Sequence, residues 1–428
     1  MEYKGDKSKT NPTSEEKNVK KIGWIIISFL FFFQFLNVAD KMIIGLVSVP
    51  IMHEYHLSPA QWGLVGSAFF WLYSLSSVSG GILADKLGTK RVISWMCAAW
   101  TLIQFATIFA VNFSYLLITR IILGAAEGPN QAVTMTMVAK SVPKRRLGLA
   151  SSIPLIGGNL GAIVMAPICG ILIAWFGWRS VFLLTGICCF LWWILWEVFT
   201  KKFTEVRESK QDKQNIDKMT WKETFKVILS RNVLLVALAG FFGNYWYYSI
   251  LMVWMPNYMQ TIRGVSASVM AFPIMTILIA QFGLSMLSDE IYKNTGDVKK
   301  ARVSVISICM ICAGISVYLM TITRSNALAV VFMCLGALGL VWATHAPAII
   351  MQYTDPKHHA KTVGMVMSIA TLAGTISPIL VGILIQSAPT ALLGYQKTFW
   401  LTSGLYVIFG ILLWIGIKPT KSLPLQTE

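Results

Sequence analysis

Hydrophobic residues fall along the chain in long runs separated by short polar stretches. A bilayer core is crossed by about 20 apolar residues in helical form. Twelve runs meet that length: Ile22–Pro50, Ala60–Ala84, Val92–Val111, Ser114–Ala139, Leu147–Ile173, Ser180–Thr200, Asn232–Pro256, Ala267–Ser288, Val303–Thr321, Asn326–Met351, Thr362–Gln386 and Gln396–Ile417. Glycine and proline inside them are no objection, since membrane helices tolerate both. The expected fold is all-α and integral to the membrane, with twelve transmembrane helices. The polar stretches set the expected organisation: a tail over 1–21, a six-helix bundle over 22–200, a central loop over 201–231, a second bundle over 232–417 and a tail over 418–428. In the central loop, Thr220 and Glu223 have capping-box spacing ahead of Phe225, Val227, Ile228 and Leu229. That pattern predicts an amphipathic helix on the membrane surface.

Composition agrees with the pattern. Hydrophobic residues make up 55% of the 428 and charged residues 13%, with a mean hydropathy of +0.63. A soluble domain carries about 25% charged residues, so most of this surface does not face water. The net charge of +17 would suggest a nucleic-acid partner on a soluble chain, but its placement reads otherwise. Thirty of the 36 Lys and Arg lie in the two tails and the loops on the same side, against four (Arg179, Arg263, Arg324 and Lys397) on the other. By the positive-inside rule both termini are cytoplasmic, and a multi-pass protein of the cell membrane is expected. All seven cysteines sit inside apolar runs, which suits small buried hydrophobes rather than a disulfide framework. No metal site, cofactor motif or catalytic cluster stands out, and no phosphate loop for direct use of ATP. An enzyme is not expected.

The two halves resemble each other. Gly81-Ile-Leu-Ala-Asp85-Lys-Leu-Gly88 closes the second span and Gly283-Leu-Ser-Met-Leu-Ser-Asp289-Glu290 the eighth. Asn159-Leu-Gly161 ahead of Pro167 parallels Thr371-Leu-Ala373 ahead of Pro378. Six spans is an even number, so the repeats are parallel, a known transporter plan with its site between the halves at mid-membrane.

Four charged side chains lie deep in the runs: Asp40, Lys41, Arg120 and Glu127. Each costs at least about 2.5–3.5 kcal/mol at the centre of an isolated helix. Lys41 and Arg120 each lie 19 residues from the cytoplasmic end of their span. Two cations at one depth make a receptor for a carboxylate or phosphate group, if both face the centre. Arg120 and Glu127 are two turns apart on one helix face, about 10 Å in depth, with Gly124 opening the face between them. Glu127 is the better proton carrier; near Arg120 it would release its proton. Asp40 points about 100° away from Lys41, so one of the pair faces a neighbouring helix. The second half offers neutral groups suited to substrate hydroxyls: Asn244, Tyr248, Trp342, Ser368 and Thr371, with Tyr245, Gln281, Thr344 and His345 beside them.

These residues give the chain a resemblance to the major facilitator superfamily. Gly81 to Arg91 matches its signature between the second and third spans. More narrowly, Asn37-Val-Ala-Asp40-Lys41, Ser67-Ala-Phe-Phe-Trp71-Leu-Tyr73, Arg120-Ile-Ile-Leu-Gly124-Ala-Ala-Glu127-Gly128-Pro129, Gly177-Trp178-Arg179 and Trp254-Met-Pro256 resemble the anion:cation symporter family. The resemblance implies a twelve-helix rocker with alternating access and inward symport of a small organic anion with protons, such as a hexuronate, aldonate or aldarate; sodium is the alternative co-ion. It implies that Asp40 and Glu127 couple protons, that Lys41, Tyr73, Arg120 and Asn159 bind substrate, and that Gly81, Asp85, Gly88, Lys90 and Arg91 form the cytoplasmic gate. Lys41 stands where many sugar-acid members carry Arg, and Thr371 where many carry Asn. The competing readings are an organic-anion exchanger or a drug or metabolite efflux carrier of the same fold, and more remotely a membrane-embedded enzyme. The expected partners are the anion, its co-ion and the lipid bilayer; a monomer is expected.

Overall fold

The computed structural model describes residues 14–143, 146–201, 226–355 and 359–418. Among them the chain is helical throughout. The capping-box residues Thr220 and Glu223 lie outside the described residues; the helix that would follow them is seen only at its last turn, before Ser230.

Twelve long helical stretches run in order. We number them α1 (Ser14–Leu46), α2 (Pro59–Leu87), α3 (Thr89–Ile108), α4 (Phe113–Glu127 and Asn130–Ser141), α5 (Leu147–Phe176), α6 (Arg179–Phe199), α7 (Arg231–Thr261), α8 (Ala267–Thr295), α9 (Lys299–Ile322), α10 (Asn326–Tyr353), α11 (Lys361–Gln386) and α12 (Ala391–Gly416). Ten are long and apolar enough to cross a membrane by themselves. The other two are α2 and α4. At 1.5 Å per residue, the 29 residues of α2 reach across a bilayer, but Ser74, Ser76, Ser77 and Ser79 dilute its apolar character. The α4 run is interrupted at Gly128–Pro129.

Short polar caps set the helix starts. Ser58 accepts from the Gln61 amide and Gln61 returns the bond, a complete capping box with Pro59 at the first helical position. Asn112, Ser325 and Thr390 cap α4, α10 and α12 one way only, accepting from the Tyr115, Leu328 and Leu393 amides. At Gly88, which ends α2, φ is +87°, a value that L side chains seldom adopt.

In the first six helices α1 packs on α5, α2 on α4 and α3 on α6; in the last six α7 packs on α11, α9 on α12 and α10 on α9. Small residues make these contacts close. A Cβ on Gly157 or Gly161 of α5 would stand 2.3 or 2.1 Å from the Phe31 or Phe35 carbonyl oxygen of α1. One on Gly124 would stand 1.8 Å from the Phe69 carbonyl oxygen. Gly124 therefore seats α4 on α2, and does not open the face between Arg120 and Glu127 as the spacing had suggested.

The broken helices are the first and fourth of each set. After α1 the chain turns at Val47 into a short helix, Ser48–Glu54. In α7 a π-helical stretch covers Tyr245–Trp254. In α10 a 3₁₀ stretch covers Ala337–Val341, and α4 is broken at Gly128–Pro129. Prolines explain two of the four. Pro129 and Pro256 have no N–H to return to Ala125 and Met252, so the helical ladder lapses there. The interruptions fall at equivalent helices of the two sets.

The two sets of six meet along α2 with α11, α5 with α8, and α1 with α7. They are tightly joined at the end remote from the termini. Trp254 Nε1 donates to the Pro378 carbonyl at 3.0 Å, the Ile379 amide donates to Ser67 Oγ at 3.1 Å, and the Ala60 amide donates to Gln386 Oε1 at 3.1 Å. Glycines bring the backbones together: a Cβ on Gly45 would stand 1.8 Å from the Met252 oxygen that Pro256 leaves free, and one on Gly63 2.4 Å from the Pro378 oxygen. Towards the termini α5 and α8 part, leaving a cleft of about 390 Å³.

Candidate substrate site in the membrane interior

The site grows from two helix faces. On α1, Gln34, Asn37 and Lys41 recur at three and four residues and share a face. On α4, Glu127 ends the first piece, and Asn130 and Thr134 continue its face beyond the break. Lys41 Nζ stands 3.0 Å from Glu127 Oε2. Lys41 Nζ also donates to Asn37 Oδ1 at 2.6 Å, and Asn37 Nδ2 donates to Glu127 Oε2 at 2.6 Å. Asn130 Nδ2 donates to Asn37 Oδ1 and to Gln34 Oε1, both at 2.7 Å, and Thr134 Oγ1 donates to Asn130 Oδ1 at 3.2 Å. A polar ladder thus runs between α1 and α4 from Glu127 towards the termini.

Aromatic rings close the other side. Lys41 Nζ lies 5.2 Å from the Tyr73 ring centroid and 5.9 Å from that of Phe69. Phe70 packs on Tyr248 of α7 at 4.5 Å, and Tyr247 bears electrostatically on Lys41. Such faces stabilise a desolvated ammonium.

Arg120 lies two turns from Glu127 and is 2% exposed. Its guanidinium packs 5.6 Å from the Phe182 ring. Its Nε and Nη2 have no hydrogen-bond partner. Asp40 accepts a short hydrogen bond from Gln104 Nε2 of α3 and acts electrostatically on Arg120. Asp40, Lys41, Phe69, Phe70, Arg120 and Tyr248 line one small cavity of about 20 Å³. That is room for one or two waters.

The structure therefore gathers Asp40, Lys41, Arg120, Glu127, Tyr73 and Tyr248. Glu127 pairs with Lys41 across α1 and α4 and acts on Arg120 of its own helix only electrostatically. Asp40 is the member of the Asp40–Lys41 pair that faces a neighbour. Asn159 lines the cleft between α5 and α8 with Gln281 and Thr344. Asn244 is buried at the head of the π-helical stretch. Trp342 packs on Gly240 and Gly243 within the last six helices and is 2% exposed. Ser368 and Thr371 turn their hydroxyls to the Gly364 and Met367 carbonyls of their own helix; Thr371 lies one turn from Gly374, which packs on the Phe70 ring. His345 likewise bonds locally, to Thr344 and the Val341 carbonyl.

Of the expected gate residues, Gly88 ends α2 and Lys90 Nζ donates to the Thr200 carbonyl at 2.7 Å, capping α6. Arg91 is exposed. The surroundings of Gly81 and Asp85 lie outside the described residues.

Asn37, Gln34, Asn130 and Gln104 were missed as site residues. Gln34, Asn37 and Asn130 carried a signal, uncharged amides at three- and four-residue spacing on the faces that carry Lys41 and Glu127; Gln104 of α3 carried none.

The family model of the Major Facilitator Superfamily matches residues 30–342 and 295–427. The hexuronate transporter of Bacillus subtilis (strain 168) is 27% identical over 413 residues, which is 94% of this chain and 96% of that protein. The probable sulfoacetate transporter SauU of Cupriavidus necator is 26% identical over 381 residues, covering 85% and 87%. Among solved structures, a bacterial homologue of the human lysosomal transporter Spinster, inward-facing, superimposes with a TM-score of 0.76 at 17% identity, covering 92% of this chain and 97% of that one.

Proposed function

Because the chain belongs to the Major Facilitator Superfamily, and is therefore a multi-pass membrane transporter and not an enzyme, we propose that it carries a small organic anion across the cell membrane together with protons. The observation that carries this reading is the Arg120 guanidinium, buried with Nε and Nη2 unpartnered and sharing a cavity with Lys41. A buried donor without a partner is costly, and a charged one more so. An anion in that cavity would satisfy both groups. Arg120 would grip a carboxylate or sulfonate in a fork, and Lys41 would supply a movable point charge. The names of the relatives, a hexuronate and a sulfoacetate transporter, support a small organic anion bearing a carboxylate or sulfonate.

The two sets of six helices would be the halves that rock about this cavity. With the termini in the cytoplasm, as the Lys and Arg distribution favours, the tight junction around Trp254 and Pro378 is the closed outer gate. The cleft between α5 and α8 is then the inward opening. In this inward-facing form the anion seat is too small for a sugar acid, so substrate has to be released before the seat closes to its present size. Asp40 and Glu127 would carry the protons, since acids in a membrane cavity suit that role. Tyr73, Tyr248, Asn159 and Asn244 would contact the rest of the substrate. Gly81, Asp85, Gly88, Lys90 and Arg91 would form the inner gate.

The test is uptake into vesicles holding the purified protein, with a panel of hexuronates, aldonates, aldarates and short sulfonates. Accumulation that follows an imposed proton gradient and saturates for one of these supports the reading. Transport that ignores the proton gradient but follows a sodium gradient would overturn proton coupling. Full transport by both Lys41→Ala and Arg120→Ala would overturn the anion seat.

A further inference from the structure

Asn37 stands between the two opposite charges at the centre of the site. Its Oδ1 accepts from Lys41 Nζ at 2.6 Å and from Asn130 Nδ2 at 2.7 Å, while its Nδ2 donates to Glu127 Oε2 at 2.6 Å. The residue is 1% exposed. Two donors converge on one end of the amide, so that end is the oxygen and the NH₂ must face Glu127. Asn130 is itself held by Gln34 and Thr134. The amide therefore cannot turn over without losing several buried bonds.

This geometry favours one state of the acid. An N–H aimed at a carboxyl oxygen stabilises the carboxylate, as does an ammonium 3.0 Å away; burial stabilises the protonated acid. The other groups bearing on the pair are Asp40 from α1 and Arg120 from α4, with Tyr73 from α2 and Tyr247 from α7 facing Lys41. Asp40 is engaged by Gln104 from α3. Lys41 is the member with a long, flexible stem that can leave.

We infer that Asn37 is the positioning residue that ties the anion to the proton, by setting the proton affinity of Glu127 according to where Lys41 is. The inference rests on the proton-coupled reading above. While Lys41 stays on Glu127, the ammonium and the Asn37 amide together favour the carboxylate against burial and the nearby Asp40, which favour the protonated acid. When an anion draws Lys41 into the cavity, Asn37 alone does not hold the charge, and Glu127 takes a proton from the water in the opening. Without the Asn37 bond, Glu127 keeps its proton in both situations and the anion moves without one.

The experiment compares wild type with Asn37→Leu and Asn37→Asp in proteoliposomes. Titration of the Glu127 carboxyl stretch by infrared spectroscopy, identified by its loss in Glu127→Gln, reads the acid directly. In both Asn37 variants its midpoint is expected to rise by about one to two pH units, the effect of losing a hydrogen bond to a charged group. Proton-driven accumulation is expected to fall at least about tenfold more than counterflow exchange, since one pH unit is a tenfold change in protonation. Asn37→Asp keeps the volume and the Lys41 contact, so it carries the test where Asn37→Leu fails to fold. A midpoint unmoved in the folded variants overturns the role of Asn37, as does a parallel fall in accumulation and exchange. A wild type that exchanges the anion but gathers none against a proton gradient overturns the symport reading, and the coupling role with it.

Discussion

Lys41 Nζ and Glu127 Oε2 lie 3.0 Å apart, with Glu127 1% exposed. The pair joins α1 to α4 within the first six helices, just where Gly128–Pro129 interrupts α4. Removing one partner of such a pair leaves an uncompensated charge, a loss on the order of 3–5 kcal/mol, while removing both is often close to neutral. Lys41→Met should therefore lower the thermal unfolding temperature in detergent more than the double variant Lys41→Met/Glu127→Gln does. The penalty in Lys41→Met should shrink as the pH falls, because a protonated Glu127 no longer needs the ammonium. Equal unfolding temperatures for the single and double variants across the pH range would refute the pair's energetic role.

Arg120 is predicted to be irreplaceable by lysine. Its planar fork can present two parallel N–H groups to a carboxylate, which a point charge cannot. Losing hydrogen bonds to a charged group weakens binding by about 1.5–3 kcal/mol, roughly ten- to a hundredfold in affinity. Arg120→Lys should raise KM for the anion within that range with the protein still folded. An unchanged KM would place the substrate elsewhere.

The outer junction should be sensitive to single methyl groups and larger. A Cβ on Gly63 would meet the Pro378 oxygen at 2.4 Å, and one on Gly382 the Pro59 oxygen at 2.3 Å. Overpacking at such a contact costs about 1–3 kcal/mol, enough to bias a balanced two-state carrier towards the state in which the contact is open. Gly63→Leu and Gly382→Leu should abolish turnover while leaving the anion seat reachable from outside. The rate of disulfide formation in an Ala60→Cys/Gln386→Cys background reads the junction, since the Ala60 amide bonds to Gln386 in the closed form. Unslowed disulfide formation in the leucine variants would count against the proposal.

At the end remote from the termini, Glu54 accepts from Arg179 Nη1 at 3.0 Å and Nη2 at 2.7 Å and from Trp178 Nε1 at 2.7 Å. The Arg179 hydrogen bonds hold the Glu54 carboxyl below its ordinary 4.5, against a smaller opposing effect of burial. A depressed carboxyl lends stability that is complete above its unfolded value and is lost as the pH falls through the folded one. The pair is well exposed at 39%, so its worth is about 0–1 kcal/mol. Glu54→Gln should lose less unfolding temperature than wild type between about pH 6 and pH 3, measured by thermal unfolding. An identical loss in the two proteins would remove Glu54 from the account.

Residues 22–46 and the other long runs announced a membrane fold by length and apolarity alone, because a bilayer demands both of any helix that crosses it. The same demand made Asp40, Lys41, Arg120 and Glu127 conspicuous, since a charge in an apolar run is too costly to be incidental. The Gly81–Arg91 signature and the Asn37–Lys41 and Arg120–Pro129 stretches carried the family. Which charge meets which was not legible. Lys41 and Glu127 are far apart in sequence, and only the packing of α1 against α4 brings them together. Spacing along α4 put Arg120 and Glu127 on one face about 10 Å apart but named no partner for either, because helical periodicity reports on one helix and is silent about its neighbours. The neighbours of Trp342 were not legible either; the close approach of α7 sets it against Gly240 and Gly243. Chain order and composition determined the solvent, the helices and the buried charges of this protein; the contacts between helices decided the ion pair, the two guanidinium nitrogens of Arg120 left without a hydrogen bond and the end at which the two halves are shut.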